Sequence, residues 1–282
     1  GVSDDHIVKF AFDSADDLLM IGENLIKLEK SKKRVDPEKF MAYIRSKVVD
    51  NQMYYLLLDE VQEADGWEKA VNSLLEDANT DIYVTGSNSK LMSSEISTYL
   101  TGRYISIPVF TLSFAEYMEF KKDSGRTPKE LLNEYIRMGG FPIVTLGNFY
   151  ERSSYQIVEG IYNSVITSDI TKRHNITNFD LFNRVVKYVV ENVGKTFSAN
   201  AIVKFIKSEG RSLSVEAVYN YLEWLEKALV NYRCQRYDMQ GKTILKTQEK
   251  FYLADASLKY CMMGFNPKSV AAMLENIVYF EL

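Results

Sequence analysis

"YYLLLDEVQEADGWEKAV", Tyr54–Val71, decides the reading of this 282-residue chain. Tyr54 to Leu58 are all apolar or aromatic, with no polar alternation, and two carboxylates, Asp59 and Glu60, follow at once. A short continuous apolar run of this kind reads as a strand buried on both faces. Two readings of the carboxylates then stand. In an open α/β sheet, ligands bind beyond the carboxyl ends of the strands, and Asp59 and Glu60 sit at such an end. Alternatively, the strand has simply stopped and the charges are solvated.

The flanking sequence repeats the pattern. Ile7–Asp13, "IVKFAFD", reads as a strand, followed by a helix with Ser14 as N-cap. After the charged stretch "SKKRV", Asp36 and Pro37 suit the N-cap and N1 positions of another helix. "DIYVTGSN", Asp81–Asn88, is strand-like, "LMSSEISTYL" is helical, and "YISIPVFTLS", Tyr104–Ser113, is extended again with Pro108 at an edge or strand end. Strands alternating with helices up to about residue 118 predict an α/β fold class with an open, mostly parallel sheet.

From Phe114 the pattern becomes helical, with Gly139-Gly140 closing one helix. Between Asp180 and Ala254 the sequence predicts three helices, two of them capped by Ser198 and Ser214, then two strands around a Gln240-Gly241 turn. That order of elements makes a winged helix-turn-helix. The final stretch, "PKSVAAMLENIVYFEL", reads as one helix that stops at Leu282 without a cap, so the natural protein is expected to continue.

Composition narrows the function classes. A net charge of −4 argues against a protein built wholly around nucleic acid, while leaving room for a local basic face. The two cysteines and two histidines form no metal-ligand pattern, and isolated thiols suit a reducing compartment. No apolar run approaches the roughly 20 residues of a membrane helix, and no leader pattern opens the chain. The expectation is a cytoplasmic protein with no membrane partner.

The chemistry of a nucleotide site needs a carboxylate to hold Mg²⁺ through water and a group to orient the attacking water. An apolar strand ending in Asp-Glu is the Walker B arrangement, with Asp59 for Mg²⁺ and Glu60 polarising water. Ser87 at the end of "VTGSN" is the first choice for a γ-phosphate sensor and Asn88 the second; the other reading is a plain turn. Arg103 in "LTGRY" offers a planar, permanently charged group for a phosphoryl oxygen. Alone it reads as a surface arginine; the order of all three elements on successive strands favours the site.

"YLLLDEVQ", "VTGSNS", "LTGRYISIPVFTLSFAEY" and "GGFP" together resemble a widespread prokaryotic AAA-type ATPase family. "NSVITSDITKRHNI", "AVYNYLEWLEKALV" and "LENIVYFEL" extend the resemblance over nearly the whole chain, and Thr111 departs from the family's usual proline. The resemblance implies that the sheet is of P-loop type, within a partial ATPase core at 1–118, followed by a helical connector at 119–177, a winged helix at 178–256 and the start of a C-terminal domain at 257–282. It implies ATP and Mg²⁺ for the full-length parent, with Asp59, Glu60, Ser87 and Arg103 in the roles above and Asn88 beside the nucleotide. No G-x-x-x-x-G-K-[ST] loop occurs in the sequence. The chain therefore looks like an internal piece, and by itself is expected to bind ATP poorly or not at all.

DNA binding is a separate question. The helix following Ser214 carries Glu216, Glu223, Glu226 and Lys227, a net negative set, with Tyr219 and Asn220 as its only base readers. Lys204, Lys207 and Arg236 on its flanks suit phosphate contacts. Both a DNA-binding winged helix and a protein-interaction or packing module remain open.

Overall fold

The computed structural model describes residues 2–76, 79–86, 100–147, 149–171, 174, 176, 178–238 and 243–282. Ser87 and Asn88, the expected sensor residues, the helix expected at 91–100 up to Tyr99 and the Gln240-Gly241 turn lie outside the described residues. The chain divides into two compact units, 1–107 and 108–282.

In the first unit β1 (Ile7–Ala11), β2 (Tyr54–Asp59) and β3 (Thr80–Val84) form a parallel sheet in the order β1-β2-β3. Leu56 lies opposite Val8 on one side and Ile82 on the other. Parallel strands need crossovers, and helices supply them. These are α1 (Ala15–Met20), α2 (Leu25–Ser31) and α3 (Pro37–Lys47) between β1 and β2, and α4 (Trp67–Leu74) between β2 and β3. The caps are those expected: Ser14 accepts from the Asp17 amide, and Asp36 accepts from the Glu38 amide with Pro37 in the first turn.

The core of this unit joins Val8, Phe10, Tyr54, Leu56 and Leu58 of the sheet to Leu18, Phe40, Ile44, Trp67 and Leu74 of the helices. Each fully buried side chain of this size contributes on the order of 1.5–3 kcal/mol. Burial along β2 alternates: Tyr54, Leu56 and Leu58 are buried, Tyr55 and Leu57 only half-buried. Of the burial expected on both faces, one face is fully buried and the other only in part. Apolar type alone does not reveal which of two apolar faces receives the helices.

The extended strand expected at 104–113 is corrected, because no strand forms there. Tyr104, Ile105, Ile107, Val109 and Phe110 are exposed. Pro108 has no N–H for a ladder, and the Leu112 amide is used instead on the Gly140 carbonyl at 2.8 Å.

The second unit is mainly helical. It contains α5 (Phe114–Phe120), α6 (Pro128–Met138), α7 (Pro142–Leu146), α8 (Glu151–Val165) with a π turn at its end (Ile166–Thr171), α9 (Phe179–Glu191), α10 (Ala199–Ser208) and α11 (Val215–Lys227). β4 (Asn231–Asp238) and β5 (Thr243–Leu253) pair antiparallel, and α12 (Ser257–Met263) and α13 (Val270–Glu281) follow. One core runs from Tyr117 through Phe182, Val186, Ile202 and Leu222 to Ile277. Among the described residues no helix is long and apolar enough to cross a membrane.

Candidate functional site

The site is built on the end of β2. Asp59 is the last residue of the strand and is exposed; Glu60 follows in the left-handed region (φ 54°) and is half-buried. A non-glycine residue there costs about 1–2 kcal/mol, and such strain collects where function holds a side chain in place. The turn redirects the chain so that the two carboxylates leave the strand end in different backbone conformations.

Both carboxylates have partners. The Thr85 hydroxyl, just past β3, donates to Asp59 Oδ1, and the Gln62 amide Nε2 donates to Glu60 Oε2. Gln62 is 4% exposed, and its Oε1 is buried without a hydrogen-bond partner among the described residues. The sheet is knit beyond its formal ends at this point. The Phe12 amide bonds the Asp59 carbonyl at 2.9 Å, and the Val61 amide bonds the Thr85 carbonyl at 3.2 Å.

Arg103 is exposed and donates from Nη1 to Asn72 Oδ1 on α4 at 2.9 Å. Its backbone turn is closed by the Leu100 carbonyl, with Gly102 at positive φ. So the structure brings Asp59 and Glu60 together and anchors Arg103 to the helix that follows them.

Thr85 and Gln62 were missed as site residues. Both lie inside quoted motifs, "VTGSNS" and "YLLLDEVQ", but neither carries a charge, and only the parallel pairing of β2 with β3 reveals that Thr85 faces Asp59. Among the described residues no group of three or more His, Cys, Asp or Glu stands ready to hold a metal. A cation here would rest on one carboxylate and on a ligand's own oxygens, as Mg²⁺ commonly does.

The basic residues named for phosphate contact lie in the second unit. Lys204 and Lys207 are exposed on α10 and make no side-chain hydrogen bond or ion pair among the described residues. Arg236 is exposed on β4. Other cations nearby are committed within the unit. Arg211 pairs with Asp180, Arg233 with Glu226 at 3.5 Å, and Lys250 with Glu275 at 2.6 Å. A cavity of about 270 Å³ in this unit is lined by Phe110, Thr111, Tyr135, Asp255, Asn276 and Phe280 among others, and by none of the expected site residues.

Asp255 in that wall is fully buried. It accepts from the Gly140 amide at 2.8 Å, the Ser257 amide at 2.8 Å and the Ser257 hydroxyl at 2.5 Å. Burial pushes its carboxyl up from the ordinary aspartate range, against the pull of hydrogen bonds from Ser257, Gly140 and Thr111. The packing here accounts for the Gly139-Gly140 pair of "GGFP". A Cβ on Gly139 would lie 1.7 Å from Asp255 Oδ1, and one on Gly140 would lie 2.2 Å from the Leu112 carbonyl oxygen.

Residues 7–118 match the family described as AAA domain, and residues 129–269, half of the chain, match a domain of unknown function (DUF8612). An uncharacterized protein of Haemophilus influenzae is 35% identical over 250 residues, 88% of this chain and 62% of that protein. The uncharacterized protein MJ1544 of Methanocaldococcus jannaschii is 31% identical over 236 residues, 80% of this chain and 52% of that protein. The chain thus spans between half and two thirds of the length of these relatives. The Walker-type ATPase paby2304 of Pyrococcus abyssi, 11% identical, superposes with a TM-score of 0.54 over 91% of this chain and 90% of that chain, and so shares its fold. The chain belongs to an AAA-type ATPase family in which the AAA domain is followed by a domain of unknown function.

Proposed function

We propose that the first unit is the nucleotide-handling core of a Mg²⁺-dependent ATP hydrolase. The observation that carries this reading is the pair of carboxylates at the carboxyl end of β2, the middle strand of the described parallel sheet, with Thr85 of the neighbouring strand donating to Asp59. Bound Mg²⁺ supplies charge neutralisation on the phosphate oxygens. Asp59 would be the residue that holds the cation. Thr85 orients that carboxylate by occupying Oδ1. Glu60 accepts a hydrogen bond from the attacking water and takes its proton, and Gln62 fixes the direction in which Glu60 points. Ser87, with Asn88 beside it, senses the γ-phosphate, and Arg103 leaves Asn72 to meet phosphate charge.

The phosphate cradle is the part these residues do not provide, since no G-x-x-x-x-G-K-[ST] loop occurs in the sequence. The 282-residue chain is expected to bind MgATP weaker than micromolar; a titration-calorimetry Kd at or below that range refutes this. The decisive test of the reading is Glu60→Gln in a protein of the relatives' full length. Hydrolysis falls at least 100-fold while MgATP affinity stays within about threefold. An unchanged turnover sinks the assignment.

Residues 178–256 carry, on this reading, a winged helix made of α9, α10, α11 and the β4–β5 hairpin, joined to the core at 1–118 by connecting helices at 119–177. Residues 257–282 lead on from it. Its exposed α11 face presents Glu216 and Glu223, the latter paired with Lys227 at 2.6 Å, which suits packing or protein interaction over groove reading. The second reading, DNA contact through Lys204, Lys207 and Arg236, draws on the two exposed lysines of α10. It predicts that Lys204→Ala with Lys207→Ala weakens duplex binding.

A further inference from the structure

A different charged surface lies in the first unit. Residues 27–34, "KLEKSKKR", carry five cations, Lys27, Lys30, Lys32, Lys33 and Arg34, against one carboxylate, Glu29. The whole of residues 1–107 holds 12 Lys+Arg and 19 Asp+Glu, so this octet stands against the sign of its own unit. All five cations are exposed, and their side chains make no hydrogen bond or ion pair among the described residues. Cations near a helix C-terminus complement its dipole, and that accounts for Lys30 at the end of α2. It does not account for three more beyond the helix.

Two features hold those three in place. Lys32 occupies the left-handed position (φ 53°) that ends α2, a position glycine takes at least cost. Its amide and that of Lys33 close the turn on the Glu29 and Leu28 carbonyls, each at 3.1 Å. Val35, next in line, is 1% exposed and forms an isolated parallel bridge with Ala64. The Val35 amide bonds the Glu63 carbonyl at 2.9 Å, and the Asp65 amide bonds the Val35 carbonyl at 3.1 Å. The basic loop is therefore pinned to the segment that leaves Asp59 and Glu60. A cleft of about 540 Å³ runs along it, lined by Lys32, Lys33, Arg34, Asp36, Pro37 and Asp65.

We propose that Lys27–Arg34 is a contact surface for the phosphate backbone of nucleic acid. Long flexible cations without fixed partners suit a repeating anion, and the Arg34 fork suits a phosphate oxygen pair. No aromatic residue lies in the octet, so the contact follows the backbone and does not stack on bases. Exposed Ile26 beside it raises an anionic membrane as the other class of partner. With only seven residues, α2 is too short to lay an apolar face into a bilayer. The proposal is independent of ATP hydrolysis and of the second unit's lysines.

The test is fluorescence anisotropy of a labelled 20-base-pair duplex with the 282-residue chain, titrated from 50 to 200 mM salt. If all five cations engage, the slope of log K against log salt is about −4.5, and Lys32→Ala/Lys33→Ala/Arg34→Ala brings it to about −1.8. Affinity of the triple variant at 50 mM salt falls at least tenfold, while a control at two exposed lysines outside both proposed contact surfaces, Lys129→Ala/Lys268→Ala, leaves it within twofold. Three results overturn the proposal: no binding at tens of micromolar protein, equal binding by the triple variant, or sedimentation with phosphatidylserine vesicles that the duplex does not compete away.

Discussion

Asp59 ends β2 and Asp255 lies two residues past the end of β5, yet the protein surrounds these two carboxylates in opposite ways. Asp59 is exposed, shares its strand end with a second carboxylate, and takes one hydroxyl from Thr85. Asp255 is sealed, and two backbone amides and a hydroxyl converge on it from Gly140 and Ser257. A carboxylate whose acceptor sites are filled by the protein has nothing left to offer a ligand. One left open beside another negative charge carries an electrostatic cost that a cation would relieve. On the proposed reading Asp255 serves the fold while Asp59 and Glu60 serve a ligand, and the contrast can be broken by mutation, one unit at a time. Trp67 is buried in the first unit and Trp224 is half-buried in the second, so replacing one tryptophan by phenylalanine leaves the other to report its own unit.

The largest effect is expected at the glycines under Asp255. Gly140→Ala drives a methyl into the Leu112 carbonyl, and Gly139→Ala combines a clash on Asp255 with a φ of +72°. Each should lower the stability of the second unit by about 3 kcal/mol or more. Denaturant unfolding followed at Trp224 measures it. A loss below about 1 kcal/mol for Gly139→Ala would mean that Asp255 moves aside easily and is not the fixed joint described. Next comes Asp255→Ala, which orphans the Gly140 and Ser257 donors and should cost about 2–3 kcal/mol.

Most of the first unit was legible in the sequence because its signals are local. An unbroken apolar run, Ser14, Asp36 and Pro37 place strands and helix starts without any long-range information. The α9–α11 helices and the following hairpin were legible for the same reason, through Ser198 and Ser214. The sheet partner assumed for Tyr104–Ser113 was not, since an exposed extended segment and a strand have the same composition, and only the Leu112–Gly140 bond separates them. Asp59 and Glu60 were legible as charges in an unexpected place. Thr85 and Gln62 were not, because uncharged side chains become site residues only through the register of β2 and β3 and the turn after Glu60. "GGFP" was visible as a motif, but Asp255, which excludes a side chain at Gly139, lies more than 100 residues away in sequence.

The same comparison predicts that conservative changes in the first unit leave folding nearly untouched. Asp59→Asn and Glu60→Gln should each move stability by no more than about 0.5 kcal/mol, because both side chains keep an acceptor oxygen and neither is buried. Thermal unfolding read at Trp67 checks this. A loss above about 1.5 kcal/mol for either would make it a structural residue and erase the contrast with Asp255.

Glu275 on α13 tests the intermediate case, a carboxylate that is partnered but wet. It pairs with Lys250 at 2.6 Å and accepts from the Tyr252 hydroxyl at 2.8 Å, while 44% of its side chain stays exposed. Lys250 and Tyr252 hold its carboxyl below the ordinary glutamate value of 4.5. A depressed acid favours the folded state above its unfolded pKa, and that contribution is lost as pH falls through the folded one. At 44% exposure solvent screens the pair, so Glu275→Gln should cost only a few tenths of a kcal/mol at neutral pH. The cost should shrink toward zero as pH falls through the depressed folded pKa, and in 1 M salt, where the Debye length is about 3 Å. A penalty that persists unchanged in acid and in salt would show that Glu275 acts by packing and its Tyr252 hydrogen bond, which would move it beside Asp255 among the residues that build the second unit.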